Sequence, residues 1–241
     1  MRRSRLYLPA SLQSGREVTV EGERAHYLRS VLRLRVGAAL TVFDGEGGEF
    51  EAEVLSVERH RVRLRLGAWR DVDRESPLRV HLGLAVAKGE RMDWAVQKAV
   101  ELGVACITPL LTERANVVLE GERAERRRRH WQSVAVAACE QCGRNRVPAV
   151  ATPKPLPAWL PGRCGLVLDP SGAALAALPE PAGELALLIG PEGGLTDAEL
   201  RLAEAEGLVP TALGPRILRV ETAAVAALTA VQCRWGDLAS R

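Results

Sequence analysis

No stretch of this 241-residue sequence approaches the roughly 20 uncharged apolar residues that a bilayer crossing requires. The opening Met1-Arg2-Arg3-Ser4-Arg5 leads into only a short apolar run, so neither a membrane span nor an export leader is expected, and cytoplasmic residence is the default. Cysteine is scarce and odd in number. Five of them, in a chain too long to need covalent staples, point to free thiols in a reducing compartment. The histidines His26, His60, His81 and His130 show no ligand spacing, and Cys139-Glu140-Gln141-Cys142 has no second cysteine pair to complete a zinc site. No metal is expected. The sequence also lacks internal repeats, a Gly-Lys-Ser/Thr P-loop ending and a Gly-x-Gly-x-x-Gly fingerprint. Nucleoside triphosphate and nicotinamide dinucleotide readings therefore lose most of their support.

What remains is an ordinary globular composition, 47% apolar and 26% charged, with lysine nearly replaced by arginine. Of 33 basic residues 30 are Arg, whose planar fork suits phosphate and stacks on bases, although codon bias produces the same excess. The charge is unevenly spread. Residues 1–70 hold 13 Arg against 9 acids, a balance of +4, while residues 71–241 hold 20 basic against 21 acidic, a balance of −1.

Periodicity changes where charge does, within Asp71-Val72-Asp73-Arg74-Glu75-Ser76-Pro77, which divides the chain into domains at 1–72 and 73–241. In the first, Glu17 to Val20, Leu40 to Phe43 and Glu49 to Leu66 read as short strands, with one helix from about Glu23 to Leu32. A small β-barrel is expected. Strict alternation in Arg61-Val62-Arg63-Leu64-Arg65-Leu66 puts three guanidinium groups on one face, either a solvated exterior or a track at near-phosphate spacing. In the second domain strands alternate with helices, which requires a mostly parallel sheet with helices on both faces. Leu78 to Ala87, Val104 to Leu110, Gly165 to Leu168, Leu185 to Ile189 and Leu208 to Leu213 read as strands. Trp131, Val134, Ala135, Ala138, Cys139 and Cys142 form the apolar stripe of a helix starting near Glu122. Its run Arg126-Arg127-Arg128-Arg129 fills a whole turn, a solvated turn first and an RNA contact second. Thr152 to Pro161 reads as a proline-rich surface connection, and Thr222 to Trp235 as a helix apolar nearly all round, buried on two sides and a candidate subunit interface.

Two glycine turns carry the chemistry. Leu187-Leu188-Ile189-Gly190-Pro191-Glu192-Gly193-Gly194-Leu195-Thr196 runs from an apolar strand into a helix start, where Thr196 and Glu199 have capping-box spacing. Leu213-Gly214-Pro215-Arg216-Ile217-Leu218-Arg219-Val220-Glu221-Thr222 repeats the arrangement. Open α/β sheets bind ligands beyond the carboxyl ends of their strands, and glycine lets the main chain approach without a β-carbon in the way. Adjacent strands would set the two turns side by side around a flat, uncharged ring such as adenine.

These segments, with Arg91-Met92-Asp93-Trp94-Ala95-Val96-Gln97-Lys98-Ala99, Glu140-Gln141-Cys142-Gly143-Arg144-Asn145 and the amino-terminal His26-Tyr27-Leu28, Val31-Leu32-Arg33 and Val36-Gly37, resemble the ribosomal RNA small-subunit methyltransferase E family. The likeness spans almost the whole chain, with departures at Ala38, Thr112 and Val220. It implies a PUA-like barrel followed by a SPOUT-type, trefoil-knotted parallel sheet, and a homodimer. The implied activity is S-adenosylmethionine-dependent methylation of nitrogen 3 of one uridine in 16S ribosomal RNA of the small subunit. On that reading Leu168, Pro170, Leu188, Ile189, Gly190, Pro191, Gly193, Leu213, Gly214, Ile217 and Leu218 hold the cofactor. Arg219, Glu221, Arg144 and Glu140 are the catalytic candidates, and Arg2, Arg5, Arg29, Arg33, Arg61, Arg63 and Arg65 the RNA contacts. A non-catalytic RNA-binding protein with a degenerate pocket is the alternative.

Overall fold

The computed structural model describes residues 3–115 and 119–239, and the chain divides into two compact units. Unit 1 comprises residues 1–75 and 139–147, and unit 2 comprises 76–138 and 148–241. The division falls three residues after the boundary expected from the sequence, and the segment 139–147 groups with the first unit.

Unit 1 is a curled five-stranded sheet built from β1 (Ser4–Tyr7), β2 (Glu17–Glu21), β3 (Ala39–Phe43), β4 (Glu49–Val57) and β5 (Arg61–Arg70), in the order β1-β3-β4-β5-β2. The expected run from Glu49 to Leu66 is two strands, turned at Glu58 by a bond from its amide to the Arg61 carbonyl of 2.9 Å. β1 is a strand the pattern does not announce. Four residues are too few to display alternation, and parallel pairing of Ser4–Tyr7 with Leu40–Phe43 supplies what local preference does not. Along β5 the period of two is strict: Val62, Leu64 and Leu66 are buried with Leu6, Leu40, Val42 and Val54. The helix α1 (Gly22–His26) continues as one wider turn over Tyr27–Val31 and seals the sheet with Ala25 and Leu28.

Unit 2 is a parallel sheet of β6 (Val80–Ala85), β7 (Cys106–Leu111), β8 (Ala149–Val150), β9 (Lys154–Pro155), β10 (Gly165–Ala174), β11 (Leu185–Ile189) and β12 (Leu208–Ala212). Its order is β12-β10-β11-β6-β7-β8, with β9 also pairing β7. Every residue of β6 and β11 is buried, as expected of strands covered on both faces. The helices are α2 (Glu90–Glu101), α3 (Gly121–Cys142), whose residues from Cys139 on group with unit 1, α4 (Leu156–Trp159), α5 (Asp197–Ala205) and α6 (Val220–Trp235). Gly103 closes α2 at φ +79°, a left-handed cap that a side chain would strain.

Two expectations need correction. Thr152 to Pro161 is not a surface connection: Leu156, Trp159 and Leu160 are buried beside Leu110, Leu188 and Leu195. Pro155 is the N-cap of α4 and Pro157 lies in its first turn, where a missing amide proton costs nothing. The helix α6 is buried on one face only, through Val220, Ala224, Ala227, Leu228 and Val231, while Val225, Ala226, Thr229 and Ala230 stay half-exposed.

Below the sheet lies a buried polar cluster with a measurable consequence. The Arg163 guanidinium lies 2.7 Å from His81 Nδ1, with Glu184 at 3.5 Å from the same nitrogen, and Thr108 Oγ1 lies 2.8 Å from Nε2, which also takes the Trp159 indole at 3.4 Å. Burial, and then the Arg163 charge, push the His81 imidazole down from 6.5 to about 4. The unfolded chain therefore takes up this proton at higher pH than the folded one. Stability is full above pH 6.5 and falls as pH drops toward 4, a loss of roughly 3 kcal/mol at about 1.4 kcal/mol per unit. Denaturant titrations at pH 7 and pH 4.5 should show this slope in the wild type and a flatter one in His81→Gln. Parallel slopes would exclude His81 as the source.

Candidate active site

The carboxyl ends of three strands open onto one cleft in unit 2, whose empty space is about 790 Å³, open to solvent. β11 contributes Ile189, Gly190, Pro191 and Glu192, then Gly194 and Leu195 from the turn before α5. β12 and the turn after it contribute Thr211, Leu213, Gly214, Arg216, Ile217 and Leu218, and α6 adds Val220 and Ala223. The third wall is Leu168, Asp169 and Pro170 of β10. The two glycine turns do converge, but their strands are not adjacent. β10 runs between β11 and β12, with Val167 registered on Leu188 and Pro210, so the turns face each other across one strand width.

Local chemistry explains each wall. Thr196 caps α5: its hydroxyl accepts the Glu199 amide at 3.2 Å, and Glu199 Oε2 accepts the Thr196 amide at 2.8 Å. Glu199 Oε1 also takes the Glu113 amide at 2.9 Å, and Arg114 donates to the Gly193 carbonyl at 3.0 Å and the Leu195 carbonyl at 3.3 Å. The segment after β7 thus braces the glycine turn from outside. Opposite it, Gly214 sits at φ +78° with open space where a β-carbon would be, so its main chain is bare to a ligand. The β10 wall bends sharply. The Ser171 amide and hydroxyl both donate to Asp169 Oδ1, the amide at 2.7 Å, and a β-carbon on Gly172 would collide with the Pro210 carbonyl carbon. Ile217 is 87% exposed, a cost in water that a covering ligand or partner would remove.

Of the expected cofactor residues, Leu168, Pro170, Ile189, Gly190, Pro191, Leu213, Gly214, Ile217 and Leu218 line this cleft. Leu188 and Gly193 do not. Leu188 is wholly buried in the core beneath the cleft, and Gly193 turns toward Arg114. Asp169, Thr211, Leu195 and Arg216 are lining residues that the sequence reading missed. Asp169-Pro170-Ser171-Gly172 interrupts the apolar run Gly165 to Leu168 with turn-forming residues, which was the available signal.

The catalytic candidates fall into two groups. Arg219 is exposed at the amino-terminal flank of α6 and pairs with no carboxylate among the described residues. Glu221 lies in the first turn, and its Oε2 is buried without a hydrogen-bond partner. They flank Val220, which lines the cleft. Glu140 and Arg144 belong to unit 1 and line none of it. Glu140 accepts the Tyr7 amide at 2.9 Å, with Arg24 at 3.6 Å, and burial pushes its carboxyl up. Arg144 forks onto Glu75, through Nε to Oε1 at 3.0 Å and through Nη2 to Oε2. Around them Arg74 donates to the Gly143 carbonyl at 2.8 Å and Asn145 to the Val72 carbonyl at 2.9 Å. Cys139 is buried, its thiol pushed up to about 12 by burial, so it is an inert packing residue.

The expected RNA contacts separate as well. Arg5 is a correction: its side chain is 7% exposed, pairs with Glu49 at 2.6 Å, also reaches Asn145 and lies over the Phe43 ring, so it cannot meet a phosphate. Arg29 donates to the Arg59 carbonyl at 2.6 Å, and Arg33 is exposed at φ +52°. Arg61, Arg63 and Arg65 are exposed as expected, yet each is paired, with Glu58 or Glu17. Arg2 lies outside the described residues.

An RNA methyltransferase domain model matches residues 74–232, and an RNA methyltransferase PUA domain model matches residues 20–67. The ribosomal RNA small subunit methyltransferase E of Buchnera aphidicola is 35% identical over 97% of both chains. This chain belongs to the ribosomal RNA small subunit methyltransferase E family. A solved member from Neisseria gonorrhoeae, bound to S-adenosyl methionine, is 36% identical with a TM-score of 0.92, over 98% of this chain and all of that one. A methyltransferase from Legionella pneumophila with bound cofactor SAM is 41% identical with a TM-score of 0.95, over 99% of this chain and all of that one. The matched methyltransferase domain includes the β10, β11 and β12 turns that line the cleft. Among the described residues no helix is long and apolar enough to cross a membrane, and no group of His, Cys, Asp and Glu is placed to hold a metal.

Proposed function

We propose that this chain transfers the methyl group of S-adenosylmethionine to nitrogen 3 of a uridine in 16S ribosomal RNA of the small subunit. One observation carries the reading: three strand ends converge on a single cleft that offers bare main chain and apolar side chains together. That lining suits an adenosine. Leu168, Ile189, Leu213, Ile217 and Leu218 would sandwich the flat ring, and amides and carbonyls of the Gly190 and Gly214 turns would read its edge. Asp169 supplies a carboxylate for a ribose hydroxyl or an ammonium group. Glu192, a second carboxylate on the rim, is instead paired with Arg91 at 3.0 Å.

When bound, the cofactor supplies an electrophilic methyl group on a positively charged sulfur. The remaining work is positioning, together with handling the proton that uracil nitrogen 3 carries at neutral pH. Glu221 is the acceptor this reading favours, since its buried oxygen lacks a partner. Arg219, free of carboxylates, would donate to a uracil carbonyl oxygen and stabilise the anion that proton loss creates. Glu140 and Arg144 then serve as packing residues of unit 1 and leave the catalytic set.

The same reading includes a trefoil knot in unit 2, a homodimer and work in the cytoplasm, where ribosomes are assembled. The half-exposed Val225, Ala226, Thr229 and Ala230 of α6 offer a surface of small residues for the second copy. The test is to incubate the chain with S-adenosylmethionine and small subunits from a strain lacking the activity, then map the product. One new methyl group on a uridine of 16S ribosomal RNA is expected. Absence of methylation, together with no thermal shift on adding S-adenosylhomocysteine, would leave a non-catalytic RNA-binding protein in its place.

A further inference from the structure

The arginine run on α3 resolves into something the sequence pattern conceals. Arg126-Arg127-Arg128-Arg129 does wrap a full turn, but Arg123, Arg126, Arg127 and His130 fall at i, i+3, i+4 and i+7 and line one shallow surface groove. Arg128 is drawn out of the set by Glu125, at 2.6 and 2.9 Å. At the far end His130 is held by Asp93 at 2.7 Å, and the other Asp93 oxygen takes the Trp131 indole at 3.1 Å, so the stripe has an anchored edge. Between these points Arg123, Arg126 and Arg127 are exposed and pair with no carboxylate among the described residues. Glu122, the acid of the first turn, makes no ion pair with them among the described residues.

We propose that Arg123, Arg126 and Arg127 of α3 form a binding site for the phosphate backbone of the ribosomal RNA substrate, a contact made by unit 2 itself. It rests on the rRNA methyltransferase reading above. The contrast with β5 carries the argument. There Arg61, Arg63 and Arg65 are each paired with Glu58 or Glu17, so a phosphate arriving at that face must compete with a carboxylate already in place. On α3 three guanidinium groups stand together with their charge uncompensated, which costs self-repulsion unless an anion is shared among them. From Arg123 to Arg127 the helix rises about 6 Å at 1.5 Å per residue, so three long side chains present their guanidinium groups side by side along one strand of backbone. Arginine rather than lysine also gives each position a fork that fits two phosphate oxygens.

The experiment compares the full chain with the variant Arg123→Gln/Arg126→Gln/Arg127→Gln, titrated against purified small subunits from 50 to 200 mM KCl. Every phosphate that is no longer neutralised takes about 0.7 off the slope of log affinity against log salt, so the triple variant should be shallower by about 2. Affinity at 50 mM KCl should fall at least tenfold. Arg129→Gln, exposed but off the stripe, should leave the slope alone, and an unchanged thermal shift with S-adenosylhomocysteine certifies the fold. A triple variant that keeps the wild-type slope and affinity overturns the proposal. The two readings fail separately. A wild type that binds with the steep slope but never methylates sinks the activity and keeps the contact, and a methylating wild type with an indifferent triple variant does the reverse.

Discussion

Arg219→Ala should lower the turnover number for methyl transfer to small subunits by two to three orders of magnitude while leaving the affinity for S-adenosylhomocysteine unchanged. The split follows from where Arg219 stands. Its neighbours Leu218 and Val220 line the cleft, whereas its own side chain is exposed, does not line the cleft and has no carboxylate to hold it. An interaction absent from the cofactor complex cannot weaken cofactor binding when removed. If the guanidinium meets the uracil carbonyl as the ring loses its proton, the missing stabilisation matches that of one preorganised donor at a developing anion, about 3–4 kcal/mol. Arg219→Lys should recover part of the rate, because a point charge remains although the fork is gone. Isothermal titration with S-adenosylhomocysteine and single-turnover methylation separate the two effects. Full turnover in Arg219→Ala would remove the residue from the chemistry, and a matching loss of cofactor affinity would make it a binding residue instead.

How far the site could be read in advance depended on whether its cause was local. The turns at Gly190 and Gly214 were legible because their signals are short-range: apolar strand, glycine, then a helix start, with Thr196 and Glu199 three residues apart as a reciprocal cap. The insertion of β10 between β11 and β12 was not legible, since any order of parallel strands satisfies the same run of apolar residues. Asp169 went unnoticed for that reason: its turn lies within β10 and leads into no helix, so it lacks the second half of that signal. Charge misled in two directions. Arg5 looks like part of a basic terminus, but Glu49 and Asn145, 44 and 140 residues further along the chain, draw it inside. The arginines of β5 look free, but Glu17 arrives from the neighbouring strand to pair with two of them. Ion pairs between distant residues leave no periodic trace, so a guanidinium's partner is known only once the strands are in register.

Arg144→Ala supplies the second large effect, and it is expected to act on stability before activity. The Arg144 side chain is 5% exposed and that of Glu75 20%, and the pair is a two-point fork rather than a single contact. A surface ion pair of this kind would contribute less than about 1 kcal/mol. Burial changes the balance, because truncating one partner strands the other as an unpaired charge out of water, at a cost of about 3–5 kcal/mol. The damage should concentrate in unit 1. The same turn places the Arg144 carbonyl 3.2 Å from Arg5, and Asn145 beside both Glu49 and Val72, so removing the fork loosens several bonds at once. Hydrogen exchange should therefore quicken first at the Ser4–Tyr7 and Leu40–Phe43 amides, whose strands pair with each other beside Arg5. The double variant Arg144→Met/Glu75→Met should be more stable than Arg144→Ala, since it removes the stranded carboxylate along with its partner. Below the melting temperature, the fraction of Arg144→Ala that stays folded should keep S-adenosylhomocysteine affinity near the wild-type value. An Arg144→Ala protein with wild-type melting and exchange but no methyl transfer would return Arg144 to the catalytic set and undo its assignment as a packing residue of unit 1.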